Sequence, residues 1–173
     1  SKRLTDAVFQ LSQLDIYVNE TSGLNLEKLK SHARKLHRDK RIGLVVIDYL
    51  QLITTDIREG REKEIGKISR DLKALAKDLK APVIALSQLN RSLENREDKR
   101  PRLSDLRESG SIEQDADIIG FIHRDSYHNE NAEDKMKTEL LIKKHRNGAL
   151  DTVNLAFDAP KMLFTTYEYH RAE

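Results

Sequence analysis

The sequence predicts an α/β domain whose mostly parallel sheet is flanked by helices and finishes in antiparallel hairpins. Three features predict it. The run Gly43-Leu44-Val45-Val46-Ile47-Asp48 is continuously apolar and ends in a carboxylate, as a strand buried on both faces of a parallel sheet does. A strong amphipathic helix and a second short apolar strand follow it, which is the order of a parallel crossover. The last third of the chain instead alternates apolar and polar residues between tight turns, the signature of hairpins.

In chain order, Leu4, Ala7, Val8, Leu11 and Leu14 share one helical face, predicting a helix that starts near Thr5. Ile16 to Val18 is β-prone and reads as a short strand. Thr21-Ser22-Gly23 turns the chain toward Asn25, a good N-cap for a helix bearing Leu26, Leu29, Ala33 and Leu36 on one side. The strand at 43–48 then reads as central. Glu62 to Leu79 is a helix on Ile65, Ile68, Leu72, Leu75 and Leu79, stopped before Pro82, which opens a strand over Val83 to Ser87. Asn90 to Gln114 is polar and dense in charge, and reads as a long functional loop with short helical pieces. Asp117 to His123 reads as another buried strand through Ile118, Ile119, Phe121 and Ile122. A polar excursion from Asp125 to Lys137, expected to be mobile, follows it. Thr138 to Lys144, Thr152 to Phe157 and Met162 to Tyr167 are strands joined by turns at Asn147-Gly148 and Ala159-Pro160.

Composition bounds the function. The 173 residues fit one domain able to bury a core of its own. The absence of cysteine excludes disulfides and thiolate metal sites and is compatible with a reducing cytoplasm. No apolar run approaches the roughly 20 residues of a membrane helix, and Ser1 to Leu14 lacks the pattern of a signal peptide, so a soluble cytoplasmic protein is expected. Lysine and arginine number 31 against 29 acids, so bulk charge gives no argument for nucleic acid, and any such argument must come from local residues.

Asp48 stands at the carboxyl tip of an apolar strand, where α/β nucleotide-hydrolysing folds place the carboxylate that orients magnesium. Taken alone it could equally be a strand cap. The expected companion, a G-x-x-x-x-G-K-[ST] phosphate loop, does not precede it. Gly60 to Ile68 imitates one, but has one residue too many between its glycines and carries Ile68 where a magnesium-binding hydroxyl is needed. Lys144 and Arg146 sit on one face of a strand that leads into a turn, either a clamp or an ordinary basic edge. His145 points to the other face and reads as structural.

The run Leu44-Val45-Val46-Ile47-Asp48-Tyr49-Leu50-Gln51-Leu52, then Ser87-Gln88-Leu89-Asn90-Arg91, then Ser104-Asp105-Leu106-Arg107-Glu108-Ser109-Gly110-Ser111-Ile112-Glu113-Gln114-Asp115-Ala116-Asp117, then Lys144-His145-Arg146-Asn147-Gly148, resembles DnaB-type replicative DNA helicases in content, order and spacing. The resemblance covers nearly the whole chain and implies part of one RecA-like ATPase domain over residues 1–173, without the portion that holds the phosphate loop and the water-activating glutamate. It departs from the family at Arg146-Asn147-Gly148-Ala149-Leu150-Asp151, where proline and glycine usually follow Asn-Gly.

The resemblance assigns roles. Asp48 would orient Mg2+ beside the phosphates of ATP, and Gln88, which alone would read as a solvent-facing strand end, would sense the γ-phosphate. Lys144 and Arg146 would be basic fingers reaching the nucleotide of the neighbouring subunit. Arg107, Glu108, Ser109 and Gly110 would line a central channel and touch phosphates of single-stranded DNA: Arg107 by its side chain, Glu108 by its backbone, and Gly110 by allowing close approach. Arg91, Arg96, Lys99, Arg100 and Arg102 are interleaved with Glu94, Glu97 and Asp98, which suits a solvated mixed loop at least as well as a DNA surface. No aromatic residue is interleaved there, so backbone tracking without base stacking is implied. The implied assembly is a hexameric ring, with primase and a helicase loader as further partner classes. The implied activity is ATP-driven unwinding, although a chain without a phosphate loop is expected to have none by itself. A recombinase-type ATPase would share the carboxylate strand but not Arg107 to Asp117 in this form. A non-catalytic module keeping only subunit and DNA contacts is the remaining alternative.

Overall fold

Asn25 sets the start of the first packed helix: its side chain accepts from the Glu27 amide at 2.9 Å, and its own extended backbone turns the chain into the helix. The computed structural model describes residues 2–58, 60–106, 110–129 and 131–167. In chain order these form α1 (Lys2–Ser12), α2 (Leu26–Lys40), β1 (Val45–Ile47), α3 (Arg61–Leu79), β2 (Val83–Ala85), α4 (Gly110–Asp115), β3 (Ile118–His123), β4 (Lys137–His145), β5 (Asp151–Asp158) and β6 (Leu163–Thr166). Short 3-10 turns punctuate the loops at Leu50–Leu52, Arg91–Asn95, Leu103–Asp105, Asp125–Tyr127 and Ala159–Lys161.

The core forms around α3. Ile65, Ile68, Leu72, Leu75 and Leu79, the face predicted by helical spacing, are all buried, and Leu26 and Ala33 of α2 join the same cluster. Each such side chain contributes roughly 2 kcal/mol by leaving water. The α2–α3 seam is edged by Lys30–Asp71 at 2.8 Å and Arg34–Asp78 at 2.6 Å. At its far end α3 stops on Lys80, in the left-handed region at φ 50°, and Pro82 follows.

β1 and β2 pair in parallel in the register Val45↔Val83, Val46↔Ile84, Ile47↔Ala85, so α3 is the crossover helix the sequence predicts. The strands are shorter than the apolar runs, and β1 is paired on one side only, in a two-stranded sheet. One face of the pair packs on the core through Ile47, while Val46 and Ile84 on the other are half exposed. Ile16 to Val18 differs from expectation: these residues lie in no strand and are exposed. A β-prone tripeptide becomes a strand only where another backbone supplies hydrogen bonds, and among the described residues none pairs with it. The helix predicted just before it does form, as α1, with no residue buried.

The second sheet is antiparallel in the order β3-β4-β5-β6. β3 buries alternate residues, with Ile119, Phe121 and His123 inward and Ile118 and Ile122 outward, rather than both faces. Between 131 and 137, Asp134 accepts from the Met136 amide at 2.8 Å and, from 33 residues away, the Tyr167 hydroxyl donates to it at 2.7 Å.

His123 is buried opposite Glu139 of β4. Burial pushes its pKa below the usual 6.5. Glu139 and Asp125 oppose that shift, while Arg100 and His128 add to it. The unfolded chain therefore takes up this proton first as pH falls. Stability from this group is whole above pH 6.5 and is lost as pH drops from there through the lower folded value. Urea midpoints measured at about pH 7.5 and about pH 5.5 are expected to fall for the parent and to fall less for His123→Gln.

Candidate functional site

The parallel pair ends in a small cleft. Asp48 directly follows β1, with a cis Asp48–Tyr49 peptide bond, and Gln88 lies just past β2. Backbone bonds from Leu86 N to Ile47 O and from Leu50 N to Leu86 O, each 2.9 Å, lock the two tips together. Gln51 completes the lock. Its amide nitrogen donates to Ser87 Oγ at 3.1 Å and to the Gln88 carbonyl at 3.3 Å, and its amide oxygen accepts from Gln88 N at 3.2 Å. Arg61, at the start of α3, in turn donates to the Gln51 carbonyl at 2.7 Å. Asp48, Tyr49, Leu86, Ser87 and Gln88 line an open cleft of about 320 Å³.

Asp48 is exposed and, among the described residues, its carboxylate makes no hydrogen bond or ion pair. No cluster of metal-ligating side chains occurs among the described residues. A lone free carboxylate beside an amide suits Mg2+, which keeps most of its waters and takes one or two carboxylates together with substrate phosphates. It would not suit a metal held by protein side chains alone.

Lys144, within β4, and Arg146, just past its end in the turn, both reach toward the C-terminal end of α4. Lys144 Nζ donates to the carbonyls of Glu113 and Gln114, the latter at 3.2 Å. Arg146 Nη2 donates to the Gln114 carbonyl at 2.9 Å, and Nη1 lies 3.6 Å from Asp117 Oδ1. Cations at the free carbonyls of a helix end are electrostatically favoured. His145 turns elsewhere: its ring packs over Gly148, where a Cβ would require the ring to shift. The structure thus unites Asp48 with Gln88, and Lys144 with Arg146, but neither basic residue lines the Asp48 cleft.

Arg107, Glu108 and Ser109 lie outside the described residues. Gly110 opens α4, and among the described residues nothing lies within 4 Å of where its Cβ would be. The next residue is tightly held, since a Cβ on Gly66 of α3 would meet Ser111 Oγ at 2.7 Å. Upstream, most of the loop arginines are engaged within the chain. Arg96 grips the buried Asp105 with both nitrogens at 3.1 and 2.8 Å, Arg100 pairs with Glu139 of β4, and Arg102 pairs with Asp98 at 2.9 Å. Their charge is largely committed, which favours the mixed-loop reading for them. The clamp on Asp105 and the Gln51 lock were missed in the sequence: neither has a local spacing signal, and Gln51 stands out only as a polar residue inside an apolar run.

Known proteins resemble this chain along most of its length. A family model described as the DnaB-like helicase C terminal domain matches residues 1–166. The replicative DNA helicase DnaB of Geobacillus stearothermophilus is 51% identical over 157 residues, covering 90% of this chain and 35% of the relative. That of Pasteurella multocida is 56% identical over 145 residues, covering 83% of this chain and 31% of the relative. The chain therefore spans about a third of the length of these curated relatives. Among solved structures, a DnaB-like replicative helicase, described with its interactions with primase, superposes with a TM-score of 0.90 at 43% identity, over 96% of this chain and 41% of that one. A second solved structure, described as an ATPase domain, gives the same score and identity over 96% of this chain and 60% of that one. The chain therefore belongs to the DnaB-like helicase C-terminal domain family.

Proposed function

We propose that residues 1–173 form part of one RecA-like motor domain of an ATP-driven replicative DNA helicase, working in the cytoplasm as a hexameric ring on single-stranded DNA. Primase and a helicase loader are its further partner classes. The observation that carries this reading is the pairing of a free Asp48 carboxylate with Gln88 at the tips of adjacent parallel strands, held in place by Gln51. Asp48 would hold the water shell of Mg2+, and Gln88 would bond the γ-phosphate or its attacking water. Magnesium, when bound with ATP, supplies charge neutralisation at the phosphates.

Lys144 and Arg146 act on the nucleotide of the neighbouring subunit. The cleft of their own chain does not include them, and their mount on α4 carbonyls leaves Arg146 about half exposed with donors to spare. Arg107 to Gly110 contact the DNA backbone.

Paired variants of the full-length protein test this division of labour. Asp48→Asn is expected to abolish magnesium-dependent ATP turnover and unwinding while single-stranded DNA still binds. Arg107→Ala is expected to weaken DNA binding, lower the slope of log affinity against log salt by about 0.7, and spare DNA-independent ATPase. An Asp48→Asn protein that still turns over ATP, or an Arg107→Ala protein with unchanged salt slope, would remove that residue from its site.

A further inference from the structure

Asp117 closes the longest family-like run of the sequence, yet neither the nucleotide cleft nor the DNA contact uses it. It immediately precedes β3, and the antiparallel pairing of β3 with β4 continues through it: Arg146 N donates to the Asp117 carbonyl at 2.8 Å. The backbone thus fixes Asp117 as the cross-strand neighbour of Arg146. Its side chain adds a second attachment, with one carboxylate oxygen facing Arg146 Nη1 at 3.6 Å and the other accepting from Lys73 Nζ of α3. Lys73 is mostly covered, at 24% side-chain exposure, so it grips from the buried helix rather than from solvent. The Lys73 ammonium holds the Asp117 carboxyl below its ordinary pKa, with Arg146 and Lys144 adding to the effect.

We propose that Asp117, clamped by Lys73, is the positioning residue that aims Arg146, and that Lys73 offsets the carboxylate so that the finger keeps its positive field. The inference rests on the reading of Arg146 as a finger. A free arginine side chain has several rotatable bonds to order when it meets a phosphate, and a guanidinium already hydrogen-bonded at one nitrogen and ion-paired at another meets it with less entropy to lose. Gln114 O accepts from Nη2 and the Asp117 carboxylate draws Nη1 toward it as an ion pair, which leaves the remaining N–H groups to point outward. An unaccompanied carboxylate there would cancel part of the charge that stabilises the transition state. A Lys73–Asp117 pair has no net charge, so it provides geometry at little electrostatic cost to the finger. With Asp117 about half exposed, the pair adds little to folding stability, so its effect should appear in turnover.

The test uses the full-length protein with Asp117→Asn, Lys73→Met, Arg146→Ala and the double variant Asp117→Asn with Arg146→Ala. Asp117→Asn keeps the shape of the side chain and is expected to lower kcat about tenfold with the KM for ATP unchanged, the loss appropriate to one charge-assisted contact. Lys73→Met, an independent route to the same defect, is expected to lower kcat several-fold, again without a change in KM. The double variant is expected to be no slower than Arg146→Ala alone, because Asp117 acts only through Arg146. Asp117→Asn with kcat within twofold of the parent, or a double variant slower than Arg146→Ala by the full single effect, overturns the assignment while leaving the finger reading intact. An Arg146→Ala protein with full turnover overturns both.

Discussion

Arg146→Ala in the full-length protein is expected to leave nucleotide affinity close to that of the parent and to cut turnover by roughly three orders of magnitude or more, the scale at which arginine fingers act. The side chain stands away from the cleft of its own subunit, hydrogen-bonded to Gln114 O and ion-paired with Asp117, so under the proposed function a nucleotide that Asp48 and Gln88 of that subunit would hold gains nothing from it before the reaction. Its proposed contribution would fall in the transition state, where charge spreads over the transferring phosphoryl oxygens. Arg146→Lys is expected to recover only part of the loss. Lysine carries the charge, but it cannot bridge a carbonyl, a carboxylate and a phosphate with one planar fork. Steady-state kcat measured beside equilibrium binding of a nucleotide analogue separates the two quantities. Equal losses in both would mean that Arg146 serves ground-state binding instead.

Asp105→Ala is expected to be the most damaging single change to the loop that leads into the segment proposed to contact DNA, at about 3 kcal/mol. Asp105 is 4% exposed and anchors the loop three ways: it accepts both Arg96 contacts, it accepts from the Arg102 amide at 2.7 Å, and its carbonyl accepts from Asn90 N at 2.8 Å. Removing the carboxylate strands a guanidinium whose buried Nε already lacks a partner among the described residues. Arg96 keeps 28% side-chain exposure and can rehydrate in part, which places the cost at the lower end of the range for a broken buried pair. Urea unfolding of the parent, of Asp105→Ala and of Asp105→Leu with Arg96→Met measures it. The apolar double exchange is expected to regain much of the loss, because no unpaired charge remains.

Local rules were enough where the pattern was long or where the chemistry lay within a turn. The five apolar positions of α3 repeat over 19 residues and all became core, and Asn25 capped α2 as its side chain requires. Alternation in an extended chain set Lys144 and Arg146 toward the same side, although β4 itself ends at His145. What they touch was not legible. Gln114 lies about 30 residues earlier, and only the β3–β4 pairing brings α4 beneath them. The same holds for Arg100 and Glu139, 39 residues apart, whose pairing turns an apparently solvated arginine into a strut between loop and sheet. Ile16 to Val18 and the outer face of β1 show the opposite failure. Apolar β-branched residues signal a strand fit for burial, but pairing and cover depend on other backbone being present beside them. Gly66 could have been noticed: a glycine within a strong helix costs about 1 kcal/mol relative to alanine, and the close approach of Ser111 accounts for its place.

The claim that most needs testing is that each nucleotide site is built by two subunits, with Asp48 from one and Arg146 from the next. Full-length subunits carrying Asp48→Asn and subunits carrying Arg146→Ala, each inactive alone, can be mixed under conditions in which co-assembly is demonstrated. Some interfaces then join an intact Asp48 to an intact Arg146, and DNA-independent ATPase is expected to rise well above that of either parent assembly. Co-assembled mixtures that stay as inactive as the separate variants would contradict the shared site.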